Sequence, residues 1–161
     1  MDIGANFGTH SLLFLKSGIR TISIEPNPEC KPYFERLTKC NQIKGKWYSI
    51  AMGEEKGIAT INFPEGETWL GSLNKVDFSK RKEALKSYQV EVESLDNFLL
   101  FNNFHPDLIK IDTEGFEEAV LKGGSGFLTS CHPKLIFEAN TDKEFQTLNS
   151  FLNQQTTGFL V

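Results

Sequence analysis

The chain opens on a carboxylate followed directly by a glycine turn, Asp2-Ile3-Gly4-Ala5-Asn6-Phe7-Gly8. Gly4 and Gly8 let the backbone turn sharply and approach a ligand where a Cβ would obstruct it. Asn6 between them tolerates unusual dihedrals and offers an amide. Residues from Thr9 onward read as a helix start. A strand, a glycine turn and a helix N-terminus together make a site for a nucleotide cofactor. Further along, Thr21-Ile22-Ser23-Ile24-Glu25-Pro26 reads as a strand ending in a carboxylate. That carboxylate is placed to accept hydrogen bonds from both ribose hydroxyls of a nucleoside. The plainer reading is an ordinary βα turn, and the pairing of Asp2 and Glu25 with the glycines weighs against it.

Two cofactors compete for this turn. A dinucleotide fingerprint wants G-x-G-x-x-G facing a pyrophosphate. Here the pattern is Gly4-x-Asn6-x-Gly8, and Ser11 stands where the third glycine belongs. A carboxylate at Asp2, directly under the turn, suits a pyrophosphate badly. It suits a cofactor carrying an amino group and a sulfonium charge, which points to S-adenosylmethionine rather than NAD. Gly4, Asn6 and Gly8 are assigned to its methionine portion, with Asp2 organising the turn. Glu25, followed by Pro26, is assigned to the ribose, and Ala51 and Met52 to the neighbourhood of the adenine.

A second block, Leu108-Ile109-Lys110-Ile111-Asp112-Thr113-Glu114-Gly115-Phe116-Glu117, places Asp112 at the carboxyl end of a buried strand. Open α/β sheets bind ligands at that end. Glu114 reads as lying at the following helix start, where the dipole favours it. Asp112 and Glu114 are the candidates to orient or deprotonate an acceptor hydroxyl. The plainer reading is that Glu114 and Glu117 only stabilise the helix. Lys110 is odd within an apolar strand, and it either snorkels outward or pairs with Asp112 or Glu138. His10 is a second candidate base because it follows the turn; the alternative is a helix-end histidine facing solvent or core.

The elements that must position these groups alternate. Helices are expected over Thr9 to Lys16 with Gly18 as the stop, from Pro28 or Glu29 to about Cys40, from Ser94 as N-cap to Phe101, over Glu114 to Lys122 ended by Gly123-Gly124, and over Asp142 to Gln154. Strands are expected over Arg20 to Ile24, Lys46 to Met52, Ile58 to Phe63, Tyr88 to Val92, Asp107 to Asp112 and Pro133 to Glu138, with a last one beginning at Gly158. Pro64 to Leu73 reads as a loop over the site and Asp77 to Lys86 as a charged stretch. Such alternation predicts a doubly wound, mostly parallel α/β sheet with strands at Ile22, Ile50, Ile109 and Ile136 beside the first. Asp2, Glu25, Asp112 and Glu138 should then line one edge of it.

At 161 residues one domain covering 1–161 is expected. A net charge of −4 argues against a nucleic-acid surface. No apolar run is long enough to span a bilayer. The three cysteines and three histidines have no metal-ligand spacing, so no metal is expected. They read as reduced thiols of a cytoplasmic protein. The phenylalanines are expected in the core, some lining an apolar substrate pocket.

These pieces resemble the FkbM family of S-adenosylmethionine-dependent methyltransferases. The matching segments are Asp2 to Gly8, Glu25-Pro26-Asn27-Pro28, Gly71-Ser72-Leu73, Leu95-Asp96, Lys110 to Gly115, Leu121-Lys122-Gly123-Gly124 and Ile136-Phe137-Glu138. The Lys-Ile-Asp-x-Glu-Gly block is distinctive, whereas the glycine turn is shared with many methyltransferases. The resemblance implies a Rossmann-like methyltransferase fold and methylation of a hydroxyl on a sugar or small natural product. Family members ordinarily carry a full first strand preceded by a helical segment. Here only the end of that strand is present and the C-terminal edge reads short, so the chain is expected to be a piece lacking both.

Overall fold

Short apolar runs make the strands that carry the site. In the computed structural model, which describes residues 1–64 and 85–155, β1 (Asp2–Ile3), β2 (Ile22–Ile24), β3 (Lys46–Tyr48), β7 (Leu108–Ile111) and β8 (Lys134–Phe137) form one sheet. Its order is β3-β2-β1-β7-β8, and all four pairings are parallel. Ile24, Ile109 and Ile111 are 0% exposed, and burying each contributes about 1.5–3 kcal/mol. The core gathers on these central strands with Ile3, Ile22, Leu95, Leu121 and Leu128.

A second sheet of three strands, β4 (Ala51–Gly53), β5 (Gly57–Pro64) and β6 (Leu85–Ser94), has the order β4-β6-β5. β5 and β6 are antiparallel from Gly57 opposite Val92 to Pro64 opposite Leu85, while β4 runs parallel to β6. Its own small core is Ala51, Ile61, Phe63 and Val90.

Helices α1 (Thr9–Lys16) and α2 (Lys31–Cys40) contact each other. Helices α3 (Leu95–Asn102), α4 (Glu117–Gly123), α5 (Ser125–Cys131) and α6 (Asp142–Gln155) form a second group. This is the helix-on-sheet layering expected of a doubly wound fold. Ser94 caps α3 as predicted, its hydroxyl accepting from the Asn97 N–H at 3.4 Å. Among the described residues no helix is long and apolar enough to cross a membrane.

Several expectations need correction. The run from Lys46 to Met52 is not one strand: the chain leaves the five-stranded sheet after Tyr48 and enters the other at Ala51. Ile50 therefore lies between two strands rather than beside β2. Helix α2 begins at Lys31 with a proline in its first turn, and Pro28 and Glu29 lie just before it. Helix α4 begins at Glu117, because Glu114 and Gly115 have φ of 53° and 95° and make a left-handed turn before it. Gly124 ends α4 but directly precedes α5, a helix not expected. Strand β8 alternates exposed and half-buried residues and is the edge of its sheet among the described residues, not a buried strand. Of the loop expected over Pro64 to Leu73, Pro64 ends β5, and of the charged stretch from Asp77 to Lys86, Leu85 and Lys86 begin β6; the rest of both, and the strand at Gly158, lie outside the described residues.

Candidate functional site

Sheet register decides which side chains meet. Ile3 pairs with Ile24 and Ile111, and Ile111 with Phe137. The next residue on each strand is Gly4, Glu25, Asp112 or Glu138. The ladder runs one step further: the N–H groups of Glu25, Asp112 and Glu138 donate to Tyr48, Ile3 and Ile111 at 3.1, 3.0 and 3.1 Å. The three acids thus share one rim with the glycine turn. Asp2 belongs to the level below, opposite Ser23 and Lys110.

Gly4 is the point where this rim is tightest. Its φ is +75°, and a Cβ there would overlap the carbonyl oxygen of Asp112. Only glycine meets both demands. The Gly4 and Ala5 N–H groups both donate to the Ile24 carbonyl at 3.0 Å, holding the turn over β2. Asn6 follows with φ 48°, and its N–H donates to Glu25 Oε2 at 2.9 Å. The Asn27 N–H donates to Glu25 Oε1 at 2.8 Å. Each carboxylate oxygen therefore has one backbone donor and keeps a lone pair for another. Burial, reinforced by the charges of Asp2 and Asp112, pushes the Glu25 carboxyl up to about 7 despite those two hydrogen bonds.

A cavity of about 160 Å³ opens on this rim. Of the residues assigned to a cofactor, Gly4, Asn6, Glu25, Pro26, Ala51 and Met52 line it, and so do Asp112 and Glu114. Ile50 and Ile61 add an apolar side from the strand switch and from β5. Asp2 and Gly8 stand outside the lining. Gly8, at φ +80°, precedes α1, and a Cβ there would run into the Phe34 ring. His10 is exposed on the first turn of α1 and is not part of the cavity wall.

Under the floor runs a buried polar chain. Ser23 Oγ donates to Ser11 Oγ at 2.7 Å, and Ser11 Oγ donates to Asp2 Oδ2 at 2.6 Å. Asp2 is 0% exposed; its Oδ1 has Lys110 Nζ at 3.4 Å but no hydrogen bond. Lys110 Nζ also donates to Asp112 Oδ2 at 2.9 Å. The odd lysine is therefore paired inward rather than snorkelling, with Asp2 as a partner the sequence did not suggest. Ser11 and Ser23 carry no sequence signal, since only the register brings them to Asp2.

Glu117 is structural in this arrangement. Its Oε1 accepts from the Thr113 N–H at 2.7 Å, the Thr113 hydroxyl at 2.9 Å and the Gly115 N–H at 3.3 Å, closing the turn that presents Glu114. Carboxylate oxygens of Asp112, Glu114 and Glu138 lie within 4.8 Å of one another. Parallel register brings Asp112 and Glu138 to one edge as the sequence predicts, and the left-handed turn adds Glu114. Burial and mutual repulsion push the Glu114 and Glu138 carboxyls above their ordinary range. Such a cluster holds protons or attracts cations.

The small sheet is tied to the site. Glu29 Oε1 accepts from Lys86 Nζ at 2.7 Å and from the Tyr88 hydroxyl at 3.1 Å, joining β6 to the segment that follows Glu25.

Comparison with known proteins gives a consistent set of likenesses. The family model described as the methyltransferase FkbM domain matches residues 2–159. The hexuronic acid methyltransferase AglP of Haloferax volcanii is 26% identical over 165 residues. That match covers 92% of this chain but 65% of the relative's length. A crystal structure of methyltransferase FkbM from Methylobacillus flagellatus KT superposes with a TM-score of 0.65 at 20% identity, covering 95% of this chain and 36% of that one. At that identity the likeness bears on the fold, which agrees with the parallel sheet described above.

Proposed function

The chain belongs to the FkbM methyltransferase family, and on that premise we propose that it transfers a methyl group from S-adenosylmethionine to a hydroxyl of a sugar or small natural product. The observation that carries the reading is Glu25: a buried carboxylate on the cavity wall, each oxygen holding one backbone N–H and one free lone pair, beside a turn closed by Gly4. The orphaned Oδ1 of Asp2 beneath the turn adds negative potential without a hydrogen bond to saturate it. Both features fit a ligand with a ribose and a positive charge. The name of the Haloferax relative supports a sugar acceptor.

When bound, the donor supplies an electrophilic methyl on a sulfonium. The chain's own work is to position and orient. Gly4 and Asn6, with Gly8 behind them, shape the turn that receives the methionine portion. Glu25, with Pro26 beside it, accepts from the ribose hydroxyls. Ala51 and Met52, with Ile50, give the apolar wall for the adenine. Asp112 and Glu114 face the cavity from the acceptor side and orient the attacking hydroxyl or take up its proton. Their shared rim with Glu138 makes proton uptake there favourable, because the Glu114 and Glu138 carboxyls already sit above their ordinary range.

Isothermal titration with S-adenosylmethionine and NAD side by side tests the donor. Binding of the first and not of the second is expected. Binding of NAD alone would return the fold to a dinucleotide-dependent oxidoreductase. Binding of neither would leave a fold remnant without the cofactor.

A further inference from the structure

Lys110 stands in none of the roles assigned above, yet among the described residues it is the cation that pairs with Asp2 and Asp112. It is 9% exposed and bridges two carboxylates of different strands, Asp2 at 3.4 Å and Asp112 at 2.9 Å. Asp2 lies under the glycine turn and Asp112 lies on the cavity wall, with its carbonyl against Gly4. The ammonium thus sits at the seam between the donor turn and the acceptor side. A purely structural ion pair would not need this place, since buried pairs are often no better for stability than apolar side chains of like volume.

We infer that Lys110 is a charge-setting residue that fixes the site's preference between the cationic donor S-adenosylmethionine and the product S-adenosylhomocysteine, whose sulfur carries no charge. The inference rests on the donor reading above. Asp2 and Asp112 alone would hold a sulfonium so tightly that the bound donor is stabilised along with the transition state, which gains nothing in rate. One buried ammonium cancels part of that field. The donor is then held less tightly, while the product loses no charge interaction it depended on.

The test is the ratio of the two dissociation constants, measured by calorimetry at pH 8.5, above the Glu25 carboxyl value of about 7, so that protonation does not mask the lost charge. In Lys110→Met the ratio should move toward the donor by about fivefold, the factor that roughly 1 kcal/mol of Coulomb energy gives in a partly buried site. Lys110→Arg keeps the charge and should stay within about twofold of the parent. Asp2→Asn removes a negative charge from the same pair and should move the ratio the opposite way. That variant keeps the inference testable if Lys110→Met does not fold, and Lys110→Gln, which retains a donor for Asp112, is a further substitute. Thermal melts establish that each variant is folded. An unchanged ratio in folded Lys110→Met or Lys110→Gln, or a shift of Asp2→Asn in the same direction, would show that Lys110 is structural only. If the parent binds neither compound, the donor reading fails first and this inference falls with it.

Discussion

Glu25→Gln separates two opposed consequences of one buried carboxylate. In the folded chain its carboxyl is raised from 4.5 to about 7, with burial as the largest cause. At about 1.4 kcal/mol per tenfold in proton affinity, that difference is worth about 3 kcal/mol, as an order of magnitude. The sign follows from proton counting. Between pH 4.5 and 7 the folded state binds more protons at this group than the unfolded state, so stability falls as pH rises. The contribution is fully present below about 4.5 and has gone by about 7. Glutamine resembles the neutral acid in shape and does not titrate. The stability of Glu25→Gln relative to the parent should therefore improve by about 3 kcal/mol between pH 4.5 and pH 8. For a chain of this size that corresponds to roughly 6–12 °C in the difference between their melting temperatures. Donor affinity should move the other way: losing a charged acceptor to the ribose costs roughly 1.5–3 kcal/mol, or about tenfold to a hundredfold at pH 8. Scanning calorimetry across pH and titration calorimetry at pH 8 read both effects. Parallel melting curves for parent and variant would refute the description of Glu25 as a desolvated acid, and unchanged affinity would refute its ribose role.

Other substitutions probe the rim and its supports. Asp112→Asn keeps the shape of the strand end and should lower turnover about a hundredfold, well beyond the roughly fivefold loss of donor affinity that its charge accounts for; equal losses in both would make the residue structural. Gly4→Ala forces a Cβ into the Asp112 carbonyl at a positive φ and should destabilise by at least about 3 kcal/mol. Gly57→Ala, which meets open space, should stay within about 0.5 kcal/mol when both variants are unfolded in urea. Asp96 accepts from the Gly126 and Phe127 N–H groups at 2.9 and 2.8 Å, so Asp96→Ala should remove the N-terminal support of α5 and cost about 1–2 kcal/mol.

The rim was legible in the sequence because its signals are local. Gly4, Glu25, Asp112 and Glu138 each follow a strand directly, and parallel pairing aligns such ends without further instruction; Asp2, expected beside them, stands one level lower because it lies within β1. The strand switch at Ser49-Ile50 was not legible, since Trp47 to Met52 contains neither proline nor glycine to announce a break. What divides it is tertiary: β3 has β2 to pair with, and β4 has β6. Gly123-Gly124 read as a stop because glycine ends helices well, but Gly124 also sits directly before α5, whose N–H groups are capped from α3 by Asp96. Glu114 read as a helical residue, and its left-handed φ becomes intelligible only with Glu117 folding back onto Thr113. His10 was placed by proximity in sequence to the turn, and the first turn of α1 carries it out to solvent. Ile61 reaches the cavity through a hairpin whose pattern says strand and says nothing of what the strand covers.

The pairing of Pro64 with Leu85 has a consequence for how such a protein can change. The residues that flank 65–84, Pro64 and Leu85, are held opposite one another by β5 and β6. Doubling the length of an excursion between fixed ends adds only about 0.6 kcal/mol of closure entropy. The end of the hairpin is in effect a fixed socket. Glu29 grips Lys86 and Tyr88 on the socket side of the junction, and Gly4, Glu25 and Asp112 follow strands of the other sheet. Length and charge between Pro64 and Leu85 can therefore vary at little closure cost while the register of both sheets stays as it is.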